Sequence, residues 1–286
     1  MTDKLQSASN PQFALPDIAV FTLSGRDCIA FAQAQFMSDV AALGDGQWQW
    51  SGWLTPKGRV VALFAVVRHS AERLDLVLLD GDVDALAASL KRYVFRSKVA
   101  IETRGELQVS GGFFLPAQAR GAQATLDGDG FELDVGSPAQ PRTLCVRAID
   151  PVLTHDADAH RAWRAFDLAH GLPRLPDDQR EQWTPQQLSL ERLRAFSVAK
   201  GCYPGQEIVA RTHFLGQAKR GLAALRGAPQ AAPGNEIVAG DQAIGRVVCT
   251  TGDLLLAVLP IDGVADTLSV DGVQVTPTPL LDGLAR

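Results

Sequence analysis

Lys200-Gly201-Cys202-Tyr203-Pro204-Gly205-Gln206-Glu207 packs a cation, a thiol, a phenol, an amide, a carboxylate and two glycines into eight residues. Gly201 and Gly205 allow turns that a Cβ would obstruct. Pro204 suits the first turn of a helix. Gln206 to Arg211 can continue that helix, with Glu207 near its positive end. Cys202 then stands just before a helix N-terminus and close to Lys200, and both features favour the thiolate. Two readings of Cys202 remain open at this point: a reactive thiol on a turn, or a small buried hydrophobe.

On the C-terminal side, Thr212 to Gly221 reads as a connection. Beyond it come short apolar runs broken by Gly, Pro and Asp: Leu222–Leu225, Glu236–Val238, Gly245–Thr250, Leu254–Leu259, Leu268–Val270 and Val273–Thr276. No helical period remains, so residues 216–286 are expected to form a small antiparallel barrel.

On the N-terminal side, strands and helices mix without regular βαβ alternation, which predicts an α+β region over 1–215. Met1 to Pro11 is polar and reads as a loose tail. Asp17 to Leu23 reads as a strand, and Ser24 to Asp27 as a capping-box start for a helix that turns Cys28, Phe31 and Phe36 inward. Trp48 and Trp50 alternate as in a strand, either as core or as a pocket wall. Pro56-Lys57-Gly58 is a turn before the strands Val60–Val67 and Leu74–Leu79. Asp82 caps a helix with a basic end at Lys91, Arg92, Arg96 and Lys98, which either complements the helix dipole or binds an anion. Gly105 to Ile149 reads as short strands. Asp158–His170 is a helix carrying Trp163, and Thr184-Pro185 starts another with Leu188 and Leu193 inward.

The 286-residue chain carries a net charge of −5, which argues against a general nucleic-acid surface and leaves room for a local basic patch. No apolar run is long enough to span a membrane, and no secretory leader is visible. The four cysteines, Cys28, Cys145, Cys202 and Cys249, lie far apart, which is neither a disulfide framework nor a cluster or zinc motif. A reducing cytoplasm fits them best. His155 and His160 share a segment without further ligands at metal-binding spacing, so no metal site is expected.

The signature, running on through Ile208-Val209-Ala210-Arg211-Thr212-His213, resembles that of the YgfZ family, whose fold is related to the aminomethyltransferase of the glycine cleavage system. Phe95-Arg96-Ser97-Lys98-Val99 and Pro56-Lys57-Gly58-Arg59 resemble two further family stretches. The resemblance implies a three-domain ring around a central channel. Two interleaved α+β subdomains, roughly 1–46 with 106–215 and 47–105, would join the C-terminal barrel. It implies tetrahydrofolate or another reduced folate as ligand, with Trp163, Lys57, Arg59, Arg96, Lys98, Tyr203 and Gln206 as candidate contacts. Cys202, Lys200 and Glu207 would be the working groups.

A second aromatic folate contact of the family falls at Ile18 here. The acidic pair of the aminomethyltransferases falls at Val61 and Ala62, which cannot exchange a proton. The implied role is an accessory protein for iron–sulfur cluster assembly or repair, with client or assembly proteins as partners. Such clients include a radical enzyme that methylthiolates transfer RNA. The competing readings are a tetrahydrofolate-dependent one-carbon transferase, and an RNA- or protein-binding module using Arg211, Lys219, Arg220 and Arg226. Strong direct nucleic-acid binding is not expected.

Overall fold

The structure, a computed structural model, describes residues 12–216, 218–262 and 267–286. The tail expected at Met1–Pro11 lies outside them, as does residue 217 of the expected connection. In chain order the elements are β1 (Phe13–Ala14), β2 (Ala19–Ser24), α1 (Cys28–Gln35), β3 (Trp48–Leu54), β4 (Val60–Ser70), β5 (Arg73–Leu78), α2 (Val83–Lys91), β6 (Ala100–Thr103), β7 (Leu107–Gly112), β8 (Thr125–Asp127), β9 (Gly130–Asp134) and β10 (Thr143–Ala148). There follow α3 (Ala157–Ala169), α4 (Gln206–Phe214), β11 (Arg220–Arg226), β12 (Glu236–Ala239), β13 (Gln242–Thr251), β14 (Leu254–Pro260), β15 (Leu268–Val270) and β16 (Val273–Thr278).

The strands make two five-stranded sheets, β3-β4-β5-β2-β6 and β1-β7-β10-β9-β8, and a closed barrel, β11-β14-β13-β12-β15-β16. The fold class is α+β with a C-terminal barrel, as expected. The run Val60–Val67 is apolar without alternation because the first sheet is covered on both faces. Leu63, Ala65 and Val67 join Trp48 and Trp50 in a core shared with the second sheet and the barrel. Phe64 and Val66 join Phe31 of α1 and Leu86 and Leu90 of α2 on the opposite face. Asp82 and Asp156 cap α2 and α3, each accepting two backbone N–H bonds at 2.9–3.0 Å.

Three local expectations change. The segment 19–43 belongs with 47–105, not with 106–215. β2 is hydrogen-bonded on both sides within the first sheet, to β5 and β6, and α1 packs on that same sheet. Asp27 makes no capping bond; its carboxylate accepts the Lys98 N–H at 2.6 Å, closing the sheet edge. The helix expected from Thr184 is a set of turns ending in a short 3-10 helix, Leu190–Leu193. Ser189 (φ 49°) and Arg194 (φ 56°) bracket it in left-handed backbone, which stops α-helical propagation.

The three units are joined by buried charge. Arg174, on the loop after α3, has a fully buried side chain. Its Nε donates to both oxygens of Asp80 (3.0 Å each), and its terminal nitrogens donate to Asp167 (2.9 Å), Asp17 (2.6 Å) and the Leu79 carbonyl (2.5 Å). Its backbone N–H donates to the Cys249 sulfur of the barrel at 3.4 Å. Arg142, at the start of β10, donates to the other oxygen of Asp167 at 2.6 Å and lies over the rings of Trp163 and Phe166. The segment after β16 leaves the barrel and returns to the sheets: Leu281 N–H donates to Ala169 O, and the Trp50 indole donates to Leu284 O.

Candidate functional site

The stretch 197–206 is a rigid mount with one exposed thiol. Ser197 turns the chain: its hydroxyl accepts the N–H groups of Ala199 (3.2 Å) and Lys200 (3.3 Å), and its own N–H donates to Met37 O. Tyr203 is buried, and its hydroxyl donates to the Ser197 carbonyl at 3.0 Å. The Gln206 amide donates to the Lys200 carbonyl at 2.9 Å, closing the loop on itself. Gly205, at φ 78°, lies against the β3–β4 turn. A Cβ there would stand 2.6 Å from the Gly58 Cα and 2.7 Å from the Thr55 carbonyl oxygen. A Cβ on Gly58 would in turn meet Ile208 of α4 at 2.9 Å. The two glycine turns therefore interlock without side chains between them.

Lys200 is not the partner of the thiol that its position in the sequence suggests. Its ammonium is buried and donates to the carbonyls of Phe36 (2.5 Å) and Ser38 (2.8 Å), over the Tyr203 ring. Burial lowers its pKa to about 8, and burial raises that of Tyr203 to about 12. Lys200 fastens the loop to the segment after α1, and Tyr203 ties the loop back onto Ser197. Pro204 lies in the turn before α4, which begins at Gln206 with Gly205 as its N-cap. Glu207 is in the first turn of α4 and exposed. Of the four cysteines, Cys202 is exposed and the other three are buried. Burial raises the pKa of Cys28, and that of Cys145 and Cys249 to about 11 and about 12.

The candidate ligand contacts do not all converge. Lys57 and Arg59 belong to the β3–β4 turn at one edge of the first sheet. Lys98 precedes β6 at the other edge, and β6 pairs with the far end of β2. Lys98 thus sits diagonally across the sheet from Lys57 and Arg59, and the exposed Arg96 lies over the Phe95 ring at 5.2 Å. Trp163 is 1% exposed and packs beneath Arg142. Its ring lies edge-on to Phe13 at 5.9 Å and tilted to Phe113 at 6.0 Å. Phe13 and Phe113 line a cavity of about 300 Å3 together with Gln12, Phe114, Thr154 and Asp156. This aromatic wall with a polar rim fits a flat pterin-like ring. Among the described residues its lining holds no cation for a carboxylated tail. Ile18 is buried core, and Val61 and Ala62 face a cavity of about 110 Å3, too small for such a ligand.

The residues that sequence reasoning missed are the acceptors. Ser197 carried a readable signal, a serine just ahead of a glycine turn. The carbonyls of Phe36 and Ser38 carried none, since every residue has one.

A fold of two sheets plus a barrel is that of a glycine cleavage system aminomethyltransferase. The crystal structure of glycine cleavage system aminomethyltransferase T from Bartonella henselae superposes with a TM-score of 0.71 at 14% identity, covering 94% of this chain and 85% of that one. Residues 219–280 match the family model CAF17, C-terminal beta-barrel domain. The tRNA-modifying protein YgfZ of Klebsiella pneumoniae is 31% identical over 280 residues, covering 87% of this chain and 81% of that protein. Its namesake from Cronobacter sakazakii is 30% identical over 272 residues with the same coverage. The chain belongs to the YgfZ family.

Replacing the two glycines of the mount separates its parts. Gly205→Ala forces a left-handed backbone and a clash, and should cost about 2 kcal/mol or more. Gly201→Ala meets nothing within 4 Å and should stay within about 0.5 kcal/mol of the parent. Urea unfolding of the two variants checks this; equal effects would remove the interlock.

Proposed function

We propose that this protein is an accessory factor for iron–sulfur cluster assembly or repair in client enzymes, tRNA-modifying ones among them, and that Cys202 is its working group. The observation that carries this reading is the mount. Lys200, Tyr203, Gln206 and Gly205 are all committed to holding the loop, and the thiol is the group left outside. One thiolate can supply one of the about four ligands a cluster needs, so the client would supply the rest. The relatives named tRNA-modifying proteins support the client class. A one-carbon transferase is disfavoured by Val61 and Ala62, which offer no acid or base at the position where the related enzymes carry theirs.

A reduced folate is the proposed ligand, its ring against Phe13 and Phe113, which the buried Trp163 backs from the core. When bound it would supply a flat, polar-edged heterocycle, and these side chains would hold it by stacking.

Cys202→Ser should fold with parental stability and fail to restore iron–sulfur enzyme activity in cells lacking the native protein. Full complementation would take the role away from the thiol. Tetrahydrofolate should quench the tryptophan fluorescence of the purified protein, and Phe113→Ala should weaken that titration at least tenfold. An unchanged titration would move the folate elsewhere.

A further inference from the structure

Where β11 leaves the junction with α4, two cavities run into one another. One, of about 290 Å3, is lined by Arg59, Thr184, Gln187, Thr212, Lys219 and Arg220. The other, of about 340 Å3, shares Gln187 and Arg220 and adds Trp183, Glu236 and Arg246. Together they form one groove between the first sheet, the turns after Gln182 and the barrel.

The groove concentrates positive charge on a chain whose net charge is −5. Arg59 donates to the Gln182 carbonyl at 2.6 Å and to the Gln187 side-chain oxygen at 3.1 Å. Arg220 donates to the Ile244 carbonyl at 2.7 Å. Both guanidinium groups are thus positioned by neutral acceptors. Among the described residues, Arg59, Lys219 and Arg220 have no carboxylate within ion-pair distance. The carboxylate in the groove is Glu236, 3.9 Å from Arg246, with both side chains more than half exposed. Trp183 is half-buried and fixed, its indole donating to Gln179 at 3.2 Å and its carbonyl accepting Val60 N–H at 2.8 Å.

Cations lining the same groove as a fixed aromatic ring match an alternation of phosphate and base. We propose that this groove binds single-stranded nucleic acid, seating a phosphodiester among Arg59, Lys219 and Arg220 and a base against Trp183. Cationic grooves with stacking aromatics bind single strands in this way, independently of sequence. Thr184, Gln187 and Thr212 offer hydroxyl and amide groups to phosphate and sugar oxygens. The site does not depend on the role proposed for Cys202. It lies toward the end of α4 away from the thiol, a helix whose nine residues span about 14 Å.

The test is fluorescence anisotropy of labelled 12-residue RNA and DNA oligonucleotides of mixed sequence, with the full chain, from 50 to 300 mM salt. Binding of either oligonucleotide that weakens with salt is expected. Lys219→Gln/Arg220→Gln, at two exposed positions, should weaken binding at least tenfold and flatten the salt dependence. Trp183→Leu should weaken it about tenfold with the salt dependence kept, circular dichroism confirming its fold. Arg226→Gln, which breaks a barrel ion pair with Asp253 outside the groove, should bind as the parent does. Absence of binding at 50 mM salt, or binding unchanged in the double variant, would overturn the proposal. Equally, millimolar inorganic phosphate that abolishes binding, with Trp183→Leu unaffected, would reduce the site to a phosphate site.

Discussion

Arg174 is the side chain on which the arrangement of the three units depends. Its guanidinium ties together the start of β2 and the neighbouring end of β5 through Asp17 and Asp80 and reaches α3 through Asp167, and its backbone reaches the barrel at Cys249. Burial alone would lower its pKa; the carboxylates of Asp80, Asp167 and Asp17 outweigh burial and hold it above the ordinary value. A lysine has three donors on a point charge and could not serve this planar set of acceptors. Arg142 extends the network to the second sheet and, lying over Trp163, fills the space beside the aromatic group.

The mount of Cys202 inherits its precision from this frame. Its anchors lie on parts of the first sheet that are far apart in the chain: Phe36 to Ser38 after α1, and Thr55 to Gly58 between β3 and β4. On its other side α4 leads into the barrel, and Gln186 donates to the Val209 carbonyl of α4 at 2.8 Å. The loop keeps its shape only while sheet, turns and barrel keep their places. Side chains that look chemically active in the sequence, Lys200 and Tyr203, are spent on that fastening.

The barrel was legible because its strands are apolar runs with no helical period, separated by Gly, Pro or Asp. The run Val60–Val67 was legible as a strand, and its lack of alternation is explained by the two cores on either face. The grouping of 19–43 was not legible, because pairing of β2 with β5 and β6 is non-local and leaves no mark in the strand itself. The failed helix after Thr184 shares that cause: Ser189 and Arg194 adopt left-handed backbone without being glycine or asparagine. Within the site, Cys202 stood out correctly as the thiol on a turn. The cations did not, since Lys98 lies across the sheet from Arg59, while Lys219 and Arg220, far from it in sequence, line a groove with it.

The coupling of frame and barrel is tested most directly with Arg174→Met, read by urea unfolding and by native-state alkylation of Cys249. Removal of the guanidinium takes the nearest cation from Asp80 and Asp17 and leaves Asp167 to Arg142 alone, so the expected loss is about 3–5 kcal/mol. Cys249, protected in the parent, should then react before global unfolding. A variant within about 1 kcal/mol of the parent, with Cys249 still protected, would contradict a frame held together by Arg174.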